Sequence, residues 1–164
     1  MGKFRRRFYR SPLAFWRDLK YVFQRRSLIK KAMSGEVISE PFRERLMVVV
    51  TEVNGCRYCR YYHVQEAFKA GVSEEEVEQF LQGSIPEDTP PEECLALAYA
   101  QHWAEQDADP NPDYVERMKE TYGAERLALI HIILRMIRVG NLLGNTFDFV
   151  LHTLSFGALG GEKP

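Results

Sequence analysis

An all-α fold of six to eight helices in a single domain follows from three observations. Strand signals are nearly absent: the one β-branched run, Val48-Val49-Val50-Thr51, lies inside a longer 3.6-residue apolar period. Apolar residues recur at helical spacing, as in Leu13, Trp16, Leu19 and Phe23. Cap and stop residues stand at the ends of these periodic stretches.

The elements follow in order. Ser11 as cap and Pro12 in the first turn start a helix over 13–33 that ends near Gly35. A second begins near Pro41 and runs to Asn54-Gly55, a pair that punctuates helices. The third opens at Cys56 and continues to about Ala70, with Gly71 as its stop. Ser73-Glu74-Glu75-Glu76 is a capping box that starts a short helix ending near Gly83. Three prolines make 84–91 a loop, and Thr89-Pro90 restart helix as far as Gln106. Asn111-Pro112 open a short helix that stops at Gly123, and a long apolar helix follows, with Gly140 or Gly144 as candidate bends. Residues 157–164 read as a flexible tail. The organisation expected is a basic arm and first helix over 1–34, a helical domain over 35–156, and the tail.

With 164 residues, 45% of them hydrophobic and 27% charged, the chain has enough apolar content for one core, which excludes wholesale disorder, a collagen-like fibre and a coiled rod. Three cysteines are too few for a disulfide-stapled secreted scaffold and fit a reducing cytoplasm. Arg17, Lys20, Arg25 and Arg26 interrupt every early apolar stretch, so no export signal is expected. The window 127–154 is long enough to span a bilayer but contains Arg135, Arg138, Asn141, Asn145 and Asp148, and reads as a buried helix. His131, Arg135, Arg138, Asn141, Asn145, Asp148 and His152 form one polar stripe on it, which ordinarily faces water and less often lines a cleft or interface.

Charge is divided along the chain. Residues 1–31 carry eleven Lys or Arg against Asp18, a balance of +10, and the remainder carries −11. The arm Lys3-Phe4-Arg5-Arg6-Arg7-Phe8-Tyr9-Arg10 mixes cations with aromatics, as membrane-surface and nucleic-acid-binding segments do. The plainer expectation is a solvated arm that packs on the acidic body of a neighbouring subunit.

The chemistry is concentrated in Asn54-Gly55-Cys56-Arg57-Tyr58-Cys59-Arg60-Tyr61-Tyr62-His63. Cys56 and Cys59 stand at i and i+3 on a helix, close enough to exchange between dithiol and disulfide, and His63 lies one turn beyond Cys59. A thiol at a helix N-terminus, beside a cation or in a C-x-x-C pair is acidified into its reactive thiolate. The helix dipole favours Cys56 as the more acidic thiol, and the imidazole favours Cys59. The same spacing also serves half a zinc site or two small core residues. No second cysteine pair or H-x-x-x-H completes a metal set, so neither metal nor cofactor is expected. Cys94, among Leu95, Leu97 and Ala98, reads as a buried structural cysteine.

Arg43-Glu44-Arg45-Leu46 through Cys56-x-x-Cys59-x-x-x-His63, followed by Ala67 and Ala70-Gly71-Val72-Ser73, resembles the alkylhydroperoxidase D (AhpD)-like branch of the carboxymuconolactone decarboxylase family. The resemblance implies an AhpD-like helical bundle, assembled as a trimer or hexamer, with peroxiredoxin-type antioxidant or thiol–disulfide oxidoreductase activity. It implies Cys59 as the peroxidatic thiol, Cys56 as the resolving thiol and proton donor, and His63 with Glu44 as the relay that deprotonates Cys59. The substrate implied is a hydroperoxide, and the reductant an external dithiol or thioredoxin-like protein. Tyr58 stands where the best-studied members carry a second histidine, so part of the relay is altered and disulfide exchange is an alternative to peroxide reduction. Tyr58 and Asn141 are possible supporting residues. The competing expectation is a non-enzymatic binding module with a structural C-x-x-C and a basic arm on membrane or nucleic acid. Outside these motifs Glu44 reads as a surface acid of its charged cluster.

Overall fold

A computed structural model describes residues 4–161. It contains α1 (Pro12–Gln24), α2 (Arg26–Met33), α3 (Glu40–Asn54), α4 (Arg57–Lys69), α5 (Glu74–Leu81), α6 (Pro91–Glu105) and α7 (Pro112–Leu154), with no strand among the described residues. The ends are set by local chemistry. Ser11 and Ser39 accept from the Leu13 and Phe42 backbone N–H groups, and Ser73 and Glu76 close the capping box. Met1, Gly2 and Lys3 of the arm, and 162–164 of the tail, lie outside the described residues.

Helix α3 is the hub and packs against α4, α5, α6 and α7. Phe42, Leu46, Met47, Val48, Val49 and Val50 put it in the core on nearly every side. Its Arg43-Glu44-Arg45 run is therefore buried as well, and buried charges require partners. Arg45 reaches Glu76 of α5 and Glu93 of α6, both at 3.1 Å, which ties three helices together. Glu44 is 4% exposed and pairs with Arg43, so the reading as a surface acid is overturned by burial of the whole helix.

Four expectations change. The first helix is two, broken at Arg25, whose guanidinium stacks 3.8 Å from the Tyr21 ring. No Gly or Pro marks the break; it lets Tyr21 and Val22 of α1 and Leu28 and Ile29 of α2 all pack on the core. Helix α7 is broken only at Gly123, where φ is 74°, and both Gly140 and Gly144 are helical.

The α7 stripe does not face water: Arg138, Asn141, Asn145, Asp148 and His152 are buried. Asp18 of α1, 1% exposed, receives Arg135 at 2.8 Å, Arg138 at 3.0 Å and the Tyr9 hydroxyl at 3.1 Å. By length and composition α7 is a candidate membrane span, but 56% of its apolar window is buried inside the fold.

The arm is not solvated but straps its own chain. Arg6 pairs with Asp148 and donates to the Gly160 carbonyl, Arg7 donates to Ala104 O at 2.6 Å, and Phe8 stacks on Phe149 at 4.1 Å. The same contacts order the described part of the tail, where Gly160 packs on the α7 backbone at Asp148.

Candidate active site

The turn between α3 and α4 positions the thiols. Gly55 takes φ 72°, which glycine adopts without a Cβ penalty, and its N–H closes on Thr51 O at 2.8 Å. One residue on, Cys56 is the N-cap of α4, its Sγ accepting from the Cys59 N–H at 3.4 Å. The two sulfurs are 3.0 Å apart, within hydrogen-bonding reach and beyond the ~2.0 Å of a disulfide. Both cysteines are free; Cys56 is fully buried and Cys59 half-buried.

This geometry separates the acidities. The Cys59 thiol donating to its sulfur brings the Cys56 thiol down to about 6; burial opposes this, and the Cys59 and Tyr58 backbone N–H groups assist. The same sulfur–sulfur contact, with burial, pushes Cys59 up, while a hydrogen bond from the Asn141 side chain pulls it down. Of the two thiols, the sulfur–sulfur contact therefore favours the anion on Cys56.

Helix α7 supplies the opposite wall. Asn141, fully buried, donates to Thr51 Oγ1 at 3.1 Å and accepts from Asn54 Nδ2 at 3.1 Å. Asn145 donates to Asn54 O at 2.8 Å and to Arg7 O at 2.7 Å, which links the thiol neighbourhood to the arm. Gly140 and Gly144 face the sulfurs. A Cβ at Gly140 would stand 3.8 Å from Cys59 Sγ, and one at Gly144 3.0 Å from Cys56 Sγ.

His63 and Glu44 form the adjoining group. The His63 Nδ1 lies 2.9 Å from Glu44 Oε2, and Arg43 Nε donates to Glu44 Oε1 at 3.1 Å. Glu44 therefore joins α3 to α4 and orients the imidazole one turn beyond Cys59. Tyr58 does not lend its hydroxyl to this group. It donates to Asp148 Oδ1 at 2.7 Å and accepts from Arg57 at 2.8 Å, so its role is to anchor the start of α4 on α7. Cys94 is half-buried, not fully buried, and its thiol lies 3.6 Å from the Thr89 and Pro90 carbonyls.

Gly140, Gly144, Thr51, Asn54 and Asp148 escaped the sequence reading as site residues. A signal existed for the glycines, since their i, i+4 spacing on an apolar helix marks a face of close approach. A cleft of about 890 Å³, lined by Arg5, Arg7, Arg57, Arg60, Tyr61 and Val64 among others, runs along α4 with neither cysteine in its wall. The α4 residues in it lie on the face of the helix opposite Cys59 and His63. Among the described residues no group of three His, Cys, Asp or Glu side chains is placed to hold a metal ion.

Fold and site together define a helical dithiol protein with a part-buried carboxylate–imidazole pair one helical turn beyond its C-x-x-C. Residues 24–102 match the model of the carboxymuconolactone decarboxylase family, which includes AhpD-like proteins. The match contains Glu44, Cys56, Cys59 and His63 and leaves out Asn141. Searches of curated proteins and of solved structures found no match.

Proposed function

We propose that the chain is an AhpD-like thiol peroxidase that also exchanges disulfides, with Cys59, Cys56, His63 and Glu44 as its catalytic residues. The observation that carries this reading is the 3.0 Å contact between two free thiols at the N-terminus of α4. Cys59 is the sulfur that a hydroperoxide reaches, because Cys56 is fully buried. Moving the shared proton from Cys59 to Cys56 makes Cys59 the nucleophile and leaves Cys56 as a proton donor.

The chemistry balances in two steps. The Cys59 thiolate attacks the outer peroxide oxygen, the O–O bond breaks, and the Cys56 proton goes to the departing alkoxide, giving Cys59 sulfenic acid, a Cys56 thiolate and an alcohol. Cys56 then attacks the sulfenic sulfur; one proton enters, water leaves, and the disulfide forms. His63, backed by Glu44, is the route for that proton. An external dithiol or thioredoxin-like protein reduces the disulfide by exchange. Exposed Leu143 and Phe147 of α7 and Tyr62 of α4 offer apolar surface for a homo-oligomer, a trimer or hexamer, to cover.

The test is thiol counting with mass spectrometry. Stoichiometric hydroperoxide is expected to remove two of the three thiols and join Cys56 to Cys59, leaving Cys94 free. Cys59→Ser should abolish the reaction, Cys56→Ser should stop it at a trappable sulfenic acid, and His63→Ala should slow it about 10²-fold. An unchanged thiol count after exposure to both a hydroperoxide and a small disulfide would overturn the proposal.

A further inference from the structure

The outward face of α1 has no partner in the fold, and its composition is unlike that of a solvated helix. Leu13, Trp16 and Phe23 are 78%, 61% and 55% exposed. Arg17 and Lys20, also exposed, share that face at steps of three and four residues, while the inward face packs on α7. The one acid of α1, Asp18, points inward and is held by Arg135 and Arg138. The charge that α1 itself presents outward is therefore wholly positive, and Arg10, Arg26 and Lys30, exposed nearby, extend it, while Asp107 and Asp109 line the cleft beside Arg17. Arg17, Lys20 and these three have no carboxylate partner among the described residues.

We propose that this face of α1 docks on an anionic lipid bilayer, lying in the plane of the interface. A helix that sets aliphatic and indole side chains among unpaired cations matches both components of such a surface: the rings and Leu13 enter the headgroup–acyl boundary while the cations meet lipid phosphates. Charge complementarity favours this occupant over a second copy, because two α1 faces meeting across a two-fold axis would oppose cation to cation. The long-range field favours it too. The chain's +10 lies in residues 1–31 and its −11 in the remainder, so an anionic surface attracts α1 and repels the body, presenting this face first. Arg6, Arg7 and Phe8 of the arm are spent on internal contacts, so the docking element is α1, with Arg10 at its edge.

The two tryptophans make the test direct, because Trp103 is 3% exposed and only Trp16 reports on the surface. The full chain is titrated with vesicles of phosphatidylglycerol and phosphatidylcholine, and separately with phosphatidylcholine alone. Binding at least tenfold tighter to the anionic vesicles, with a blue shift of Trp16 emission, is expected. The double substitution Arg17→Glu with Lys20→Glu should weaken it at least tenfold while leaving the thermal midpoint in place, and Trp16→Ser should weaken it without altering net charge. Equal partitioning onto both vesicles, no partitioning, or full binding by the charge-reversed chain would overturn the proposal. So would capture of a DNA duplex in the absence of vesicle binding, or a sedimentation mass that rises with concentration and falls in Trp16→Ser.

Discussion

Gly144 leaves the space that Cys56 needs. A Cβ built there would stand 3.0 Å from the Cys56 sulfur and 3.3 Å from the Tyr58 ring, whereas one at Gly140, a turn earlier, would stand 3.8 Å from the Cys59 sulfur.

The two glycines should therefore respond oppositely to the same substitution. Gly140→Ala meets ordinary contact distance and is expected to gain up to about 1 kcal/mol from helix propensity. Gly144→Ala presses on a fully buried sulfur and should cost about 1–3 kcal/mol as overpacking. Urea denaturation of both variants measures the difference, and it should slow disulfide formation only in the second.

The acidity of Cys56 depends on its neighbour. Thiolate absorbance against pH should show one thiol titrating at about 6 in the native chain. Cys59→Ala removes the strongest donor to that anion, so the midpoint should rise toward the ordinary value of about 8.5. Cys59→Ser, which keeps a donor, should fall between. A midpoint that stays put in Cys59→Ala would show that the helix N-terminus alone acidifies Cys56.

Stability should fall on mild acidification because of His131. Burial, assisted by the Arg135 charge, brings its imidazole down to about 4, and the neutral ring accepts from the Tyr99 hydroxyl at 2.8 Å. Between pH 6.5 and 4 the unfolded chain binds the proton and the folded chain does not, so unfolding is increasingly favoured as pH drops through that window. The whole effect is at most about 3 kcal/mol. His131→Gln should flatten this part of the stability–pH curve, as measured by urea midpoints at fixed pH steps.

Asp18 pairs with buried Arg138 and half-buried Arg135, and Arg138 also reaches Asp107 at 2.8 Å, so Asp18→Ala removes one of two carboxylates from Arg138 and the one that Arg135 has among the described residues. A loss of about 1–3 kcal/mol is expected, because Asp107 still compensates Arg138 and Arg135 keeps access to water. Asp18→Asn keeps the hydrogen-bond acceptor and should lose less, which denaturant titration would resolve.

Much of the helical order was legible because caps and stops are local chemistry. Ser11, Gly55, Ser73, Asn111 and Gly123 each act at the position where the sequence announces them. The Arg25 break was illegible, since no residue there opposes helix and only packing on the core bends the chain. The charged run on α3 misled for a related reason: Arg43, Glu44 and Arg45 look solvated until their partners on other elements are seen.

The sequence by itself determined the helical class, the dithiol spacing and the division of charge, because each depends on residues a few positions apart or on simple counting. Tertiary structure alone decided which sulfur is acidic, where Glu44 meets His63, that Asn141 reaches Cys59, and that the arm is internal while α1 faces outward. Hydrogen bonds and burial join residues far apart in the chain, and the free energy of a charge depends on those neighbours more than on its own identity.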